Sequence, residues 1–421
     1  MAGTKQRQTP GVYITELDAF PPSVVGVATA VPAFIGYTQK AVLGGQAIPF
    51  KPVKIASRAD YDLIFGGGGS GFNLYDSIQL FYANGGGTCY VLSVGDDTEA
   101  AVDADKLMQG LTVVGEMTGP TMIAIPDAVL LPPDPVAPSA AAPAIPRSAA
   151  YQTLVRAMLA QSGTLRDRMA LLDPYGAQAI DAGNPASFQA SLDICTANFR
   201  EDVGEKFLGY GAAYFPLLQV GAGVVGQFKL LPASGAMAGL YTFNDTSRGV
   251  WNAPANLLVE GIVALSLKIN AEQQGPLNVP LDGKAINVIR DFTGRGPVVW
   301  GARTLDGNSL DYRYIQVRRT LIYIEQSIKT GLQPFVFAPN DAGTWTTVTA
   351  MVSNFLQGLW SQGGLMGAKA SDAYTVACGL GSTMTPQDIL NGYMIVQVTL
   401  QMVRPAEFIE LTITQKMQGI A

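Results

Sequence analysis

Two hydrophobic periods interleave along this chain. Leu74, Ile78, Phe81 and Tyr82 fall on one helical face in LYDSIQLFYANGG, and Gly85–Gly87 stop that helix before the buried-strand run TCYVLSVG. The pattern then predicts a helix around Ala100–Leu111, the strand Thr121–Asp127, a helix from about Tyr151 to Gly163 and the strand Arg168–Pro174. Strands alternating with helices indicate an α/β layer with mainly parallel strands.

From about Asp245 the character changes. SRGVWNAPAN leads into an expected apolar helix, and YRYIQVRRTLIYIEQSIKTG reads as an amphipathic helix. Its buried stripe is Tyr314, Val317, Leu321, Ile324 and Ile328, with Arg318, Arg319, Glu325 and Lys329 off it. A second helix is expected from Thr344 to about Gln362. The chain closes on a hairpin-like pair: Val396, Val398, Leu400 and Met402 alternate with polar residues, and after Arg404-Pro405 so do Ile409, Leu411 and Ile413. At the other end, TPGVYITELDAFPPSVVGVATAVPAFIGYTQKA (Thr9–Ala41) places an alternating, largely uncharged run where a lone strand has unpaired N–H and C=O groups.

Composition narrows the classes of function. At 421 residues the chain has room for two or three domains. Charged residues are 14% of the chain, against about 25% in ordinary domains, too few to dress a large free surface. The net charge of −6 argues against a nucleic-acid binder, which needs a basic face. With no histidine in the chain, histidine-activated nucleophiles, histidine acid–base steps and the usual histidine zinc sites are removed together. Cys89, Cys195 and Cys378 are far apart and form no CxxC, as expected of buried, reduced thiols.

The remaining motifs point away from chemistry. GGGGSG lacks the Lys and Ser/Thr of a phosphate-binding loop. Asp96, Asp97, Glu99, Asp103 and Asp105 miss the calcium-loop spacing and read as an acidic helix start. No GxSxG elbow occurs. The expectation is no catalytic residue, cofactor or metal. The N-terminus lacks a signal-peptide core. Two uncharged windows, between Asp18 and Lys40 and between Lys206 and Lys229, are so rich in Pro and Gly that buried strands and turns are expected there instead of membrane spans. The Pro/Ala-rich stretch at 131–147 has no periodicity and reads as an exposed loop.

TPGVYITEL, FYANGGGTCYVLSV, RGVWNAPAN, INVIRDFTGRGPVVWGARTL, YRYIQVRRTLIYIEQSI and RPAEFIELTITQ, in that order, resemble contractile tail-sheath proteins of phage tails, tailocins and extracellular contractile injection systems. The longer opening looks most like the sheaths of the injection systems. The resemblance implies a multi-domain α/β fold with a subtilisin-like α/β middle domain that has no protease role, an α+β C-terminal domain facing an inner tube, and terminal arms that exchange strands between copies. It places an N-terminal arm at 1–22, a first part of the sheath domain at 23–100, the subtilisin-like domain at 101–290, the tube-facing domain at 291–394 and a strand arm at 395–421. Strand exchange is carried over to Val12, Tyr13, Ile14 and Thr15 and to Val396, Val398, Leu400, Phe408, Ile409, Leu411 and Ile413, while Gly26 and Pro21-Pro22 are expected in flexible linkers.

A sheath of this kind would polymerise helically around the tube and contract from a metastable extended state. Its implied partners are further copies of itself, the inner tube protein, baseplate and terminal cap proteins and, in some systems, a sister sheath, with no nucleic acid and no direct membrane insertion. Assembly in the bacterial cytoplasm is implied, in a particle that is released or anchored. Among the basic residues of 303–329, Arg318, Arg319 and Lys329 are expected to line the lumen and hold an acidic tube surface. The competing readings are a degenerate subtilisin-like soluble enzyme, or a tube-forming structural protein with one helical state.

Overall fold

The computed structural model describes residues 23–68, 71–135, 145–222 and 226–411. The first unit runs through β1 (Pro32–Thr38), the hairpin β2 (Val42–Leu43) and β3 (Gln46–Ala47), β4 (Val53–Ile55), α1 (Arg58–Phe65), α2 (Leu74–Ala83), β5 (Cys89–Asp96), α3 (Ala104–Gly115) and β6 (Met122–Ala124). It continues through α4 (Ala149–Leu165), β7 (Met169–Leu172), α5 (Pro185–Asp202), β8 (Gly211–Phe215), β9 (Leu218–Gly221), β10 (Phe228–Leu231) and α6 (Ser234–Arg248). Then come β11 (Ala264–Leu265), α7 (Ala271–Asn278), β12 (Ile286–Phe292) and β13 (Gly296–Val299). A smaller C-terminal unit holds α8 (Ile315–Leu332), α9 (Ala342–Ser361), α10 (Ala370–Ala373), β14 (Tyr374–Ala377), α11 (Pro386–Leu390) and β15 (Gln397–Leu400).

Eight strands form one sheet in the order β13-β12-β8-β7-β6-β1-β5-β4. Its six inner strands are parallel, as the alternation of strands and helices predicts, and the two edge strands are antiparallel. Both faces are covered, which is why the inner strands read as unbroken apolar runs. In β1, Ala33, Ile35 and Tyr37 face the core under α3, α4 and α5, while Phe34 faces the core under α1, α2 and α6. The outer edge of β13 is closed by residues 256–259, through Asn256 N to Val299 O at 2.7 Å and Val259 N to Pro297 O at 2.8 Å.

That edge cover corrects one expectation. The stretch after SRGVWNAPAN is not an apolar helix but a loop carrying short β11, because Pro254 and Gly261, at φ +77°, interrupt it and its backbone is spent on β13 and β9. The helices of this region are α6, which ends within that motif, and the short polar α7, which follows β11. The boundaries at 100/101 and 290/291 are also overturned. β1 and β5 sit inside the same sheet as β6 to β8, and β12 is hydrogen-bonded to β13, so residues 32–299 share one pair of cores.

The uncharged windows hold β1 and the pair β8–β9, and among the described residues no helix is long and apolar enough to cross a membrane. Asp103 caps α3, accepting from Asp105 N at 2.8 Å, which is the helix-start role expected of that acidic group. Cys89 and Cys195 are buried, and burial pushes both thiols up to about 12. Cys378 differs in being only partly buried.

Candidate assembly site at the roots of the two arms

In an open parallel sheet, ligands favour the carboxyl ends of strands where the strand order reverses, here around β1. The protein fills that crevice itself. Asp127 accepts from Tyr37 N at 2.8 Å and from Asn73 N at 2.6 Å, and Asn73 Nδ2 donates to Pro126 O at 3.1 Å. Lys229 Nζ caps the same corner, donating to Asp76 at 2.8 Å and to Phe72 O at 2.5 Å. Burial pushes the Asp127 carboxyl up to about 6 against these donors. At the end of β7, Asp173 likewise accepts from Ser234 N at 3.0 Å and starts α6. The acids and lysine at the crevice are spent on holding loops.

The functional geometry lies around α8. Its first half inserts Ile315 and Ile322 into the core of the large unit, and its second half gives Ile324 to a separate core with Met351, Val352 and Leu356 of α9. Val24 is buried in that same small core, so the chain just after the N-terminal arm docks on the C-terminal unit. From there it runs antiparallel to α8. Val24 lies against Gly331, Val27 N donates to Ser327 Oγ at 3.1 Å, and Arg319 donates to Thr29 O at 3.0 Å. Gly26 packs directly on Tyr323, where any Cβ would collide with the ring. It is a close-approach position in this conformation, not the open linker expected from sequence.

Arg319 ties three elements together. Its guanidinium makes a two-pronged pair with Asp245 of α6 at 2.8 and 2.6 Å, binds the Thr29 carbonyl and lies 4.5 Å from the centre of the Tyr241 ring. Burial opposes its charge, but Asp245 outweighs that and raises its pKa. Arg318 is clamped between the rings of Tyr312 and Tyr210, at 3.6 and 4.2 Å. With exposures of 5% and 4%, neither arginine is surface. Their expected place on the lumen is therefore withdrawn. The periodicity put them on a polar face, but the opening turns of α8 are enclosed all round and Gln316 and Thr320 are buried as well. Lys329, in the last turn, is exposed.

β15 pairs antiparallel with β14, and these two strands form a sheet of their own with no third strand among the described residues. Val396, Val398 and Leu400 are half-buried while Gln397 and Thr399 are exposed, and Val398 and Leu400 pack on the small core, as the alternation predicts. Among the described residues the partner of β15 lies upstream, and residues 403–411 join no strand, so the expected hairpin has no second strand there. Phe408, Ile409 and Leu411 are 70%, 86% and 82% exposed. Val12, Tyr13, Ile14, Thr15 and Ile413 lie outside the described residues.

One side chain holds this tail. Glu407 accepts from Arg303 Nε and Nη2 at 2.9 and 2.7 Å, from Tyr314 Oη at 3.0 Å and from Asn278 Nδ2 at 2.6 Å. Burial alone would raise the Glu407 carboxyl, but the bonds from Arg303, Asn278 and Tyr314 prevail and hold it below its usual range. A depressed folded value means the anchoring is complete above the ordinary value of 4.5 and fades as pH falls through the lower folded value. Backbone order of residues 404–411, read by NMR relaxation, is expected to fall as pH drops below that range, and Glu407→Gln should flatten the pH dependence. Equal order at both pH extremes would contradict the anchor.

Periodicity assigns no role to Glu407 or Asp245 and places Arg303 only among the basic residues of 303–329, yet Glu407 carries a signal. It is the charged member of the alternation Val403, Pro405, Glu407, Ile409, Leu411.

A closed α/β body whose crevice is self-filled, joined to a small unit whose two-stranded sheet gains no further strand among the described residues, is the design of a structural building block. The segment 308–416 matches the phage tail sheath C-terminal domain family. The chain is similar to the anti-feeding prophage (AFP) helical sheath in its contracted state, at 35% identity and TM-score 0.72, over 97% of this chain and 100% of that one. It is also similar to the contracted sheath of the PVC extracellular contractile injection system, at 31% identity and TM-score 0.71, over 98% and 99%. The tail sheath protein of Burkholderia phage BcepMu is 27% identical over 221 residues, an alignment spanning 51% of this chain and 43% of the phage protein. The chain belongs to the contractile sheath protein family.

Proposed function

We propose that this chain polymerises helically around an inner tube and contracts, driving the tube through a target envelope with energy stored at assembly. The observation that carries the reading is the two-stranded sheet of the small unit, whose outer edges are unpaired among the described residues, beside a tail with exposed Phe408, Ile409 and Leu411. Strand donation between copies satisfies both, and a head-to-tail contact that does not close gives a helix of subunits. The relatives support the same reading, being chains of two contracted sheath assemblies and of the AFP baseplate. Baseplate and cap proteins set the ends of the polymer, and the particle is assembled in the cytoplasm of a bacterium. The terminal residues named above donate the strands, Val396, Val398 and Leu400 belong to the receiving sheet, and the subunit needs no catalytic group or cofactor.

Lys329 remains the tube-facing member of the basic set. Reversing it to Glu is expected to weaken co-assembly with an acidic tube about threefold, in the range of one exposed charge pair, without changing the melting temperature. Sedimentation of sheath with tube checks this, and unchanged co-sedimentation removes Lys329 from the interface. For the function itself, electron microscopy of chain expressed with its tube protein should show long, narrow cylinders that convert to short, wide ones. A single helical state under every trigger would rule contraction out.

A further inference from the structure

A groove of about 630 Å³ opens where the tail crosses the large unit, a size within the ~300–1,000 Å³ of small-molecule sites. Its lining has two sources: α7, Arg290 and Trp300 on the large unit, and residues 405–409 of the tail. Most of that lining is apolar.

The charged groups in it do not cancel. The carboxylate, Glu407, is committed to Arg303 outside the groove. The two cations, Arg248 and Arg290, have no acid within ion-pair distance among the described residues. Arg248 is exposed, while Arg290 is partly buried and spends Nη1 on Gln274 Oε1 at 3.1 Å. The Arg290 Nε is buried with no partner. Since an arginine carries five N–H donors in a rigid fork, most of this one is unused. It is also held ready, because Gln274 Nε2 donates to Trp300 O at 2.6 Å and the Phe292 ring lies 5.0 Å from the guanidinium carbon. A partly buried guanidinium without an acid is costly, and an anion that takes its free donors relieves that cost.

The tail is the movable part of this lining. No backbone hydrogen bond joins 404–411 to another described residue's backbone, and the segment is held through the Glu407 side chain. A ligand with an apolar body would cover Pro405, Ala406, Phe408 and Ile409 as well as the large unit. The tail could not then leave without uncovering the ligand, so occupancy and departure of the tail oppose each other.

We infer that this groove is a site for a small amphipathic carboxylate, an apolar chain with one anionic head received by Arg248 and Arg290, and that its occupancy holds the tail on its own subunit. The effect on assembly rests on the sheath reading, in which the tail is given up to a neighbour.

Calorimetric titration of the full chain, dilute enough to stay monomeric, tests the site with decanoate below its micelle-forming concentration. One site is expected. Decanol and decyltrimethylammonium should bind about tenfold more weakly or worse, lacking the charge-assisted bonds. Octanoate, two methylenes shorter, should bind about fifteenfold more weakly. Arg248→Gln/Arg290→Gln should lose the preference for decanoate over decanol. Gly275→Phe should abolish binding of every probe and leave the chain folded, because Gly275 lines the groove and a Cβ added there meets no heavy atom within 4 Å. Decanol binding as tightly as decanoate, an arginine variant that keeps the preference, or a Gly275→Phe chain that binds as wild type would each overturn the site. Should the double variant unfold, Arg248→Gln alone is expected to weaken decanoate about threefold, and no weakening counts against the site.

Light scattering reads the effect on assembly. Decanoate at ten times its Kd should raise the critical concentration of the wild type about elevenfold and leave that of Gly275→Phe unchanged. An unchanged wild type with the groove occupied overturns the hold on the tail. If the chain forms no polymer with or without its tube, the sheath reading fails, while binding and the backbone order of 404–411, expected to rise with decanoate, still decide the site.

Discussion

A chain lacking the residues before Pro22 is expected to stay folded and to form no cylinders. The small core begins with Val24, and Thr29 and Val27 supply the contacts to α8, so the cut leaves every described hydrogen bond intact. What is lost is the strand that would satisfy a neighbour's open edge. A strand of even four residues brings several backbone hydrogen bonds of about 1 kcal/mol each, together with the apolar Val12 and Ile14, and the loss repeats at every subunit. Because a polymer multiplies each contact, the effect is all or none in electron micrographs at concentrations where the wild type assembles. The melting temperature should move by no more than about 2 °C, as for surface changes away from packed sites. Cylinders from the truncated chain would refute arm exchange, and a large fall in melting temperature would mean that the arm packs on its own subunit.

The largest effect on stability is expected at the Asp245–Arg319 pair. Asp245→Ala leaves a buried guanidinium with one carbonyl and a tyrosine ring for company, and removing one member of such a pair costs about 3–5 kcal/mol. Arg319→Lys should recover little, because an ammonium cannot make the two-pronged contact to Asp245 and also reach Thr29 O. The double change Arg319→Met/Asp245→Leu, which removes both charges at similar volume, should recover much of the loss. The midpoint of urea unfolding measures all three. A midpoint for Asp245→Ala within error of wild type would show that the pair contributes nothing. Since Thr29 is released when Arg319 itself is replaced, the two Arg319 variants should also polymerise poorly, through a loosened arm root.

The elements that read correctly in advance are those whose environment matches a simple period. β1, β5, β7 and β8 lie between two layers and show as unbroken apolar runs, and β15 is half-buried and shows as an alternation. Helix α6 escaped because SGAMAGLYTFNDTSR is rich in glycine and small residues. Its glycines exist to let α2 approach, as Gly235 and Gly239 lie against the backbone of Ser77 and Phe81. Propensity argues against such a helix while packing requires it. The error at Arg318 and Arg319 has the opposite cause. Helical periodicity assumes one wet face, whereas the start of α8 is surrounded, and a charged residue in a surrounded position is legible only when its partners are known. Asp245, Tyr312 and Tyr210 lie up to 108 positions away in sequence. The tail was read as half of a hairpin because an alternation reveals a strand but never its partner.

The position of β1 has a mechanical consequence. The seven residues of this strand are the direct continuation of the N-terminal arm root, and they lie inside the sheet, paired with β5 along most of their length and with β6 over 32–34. A pull on the arm acts along the strand and loads the slanted hydrogen bonds to its two parallel neighbours. They must then fail together in shear instead of opening one after another like a zip. Tension carried by the arm therefore enters the subunit at a strand paired on both sides, and a loaded filament is expected to yield between copies, where contacts can be exchanged and made again without unravelling any one of them.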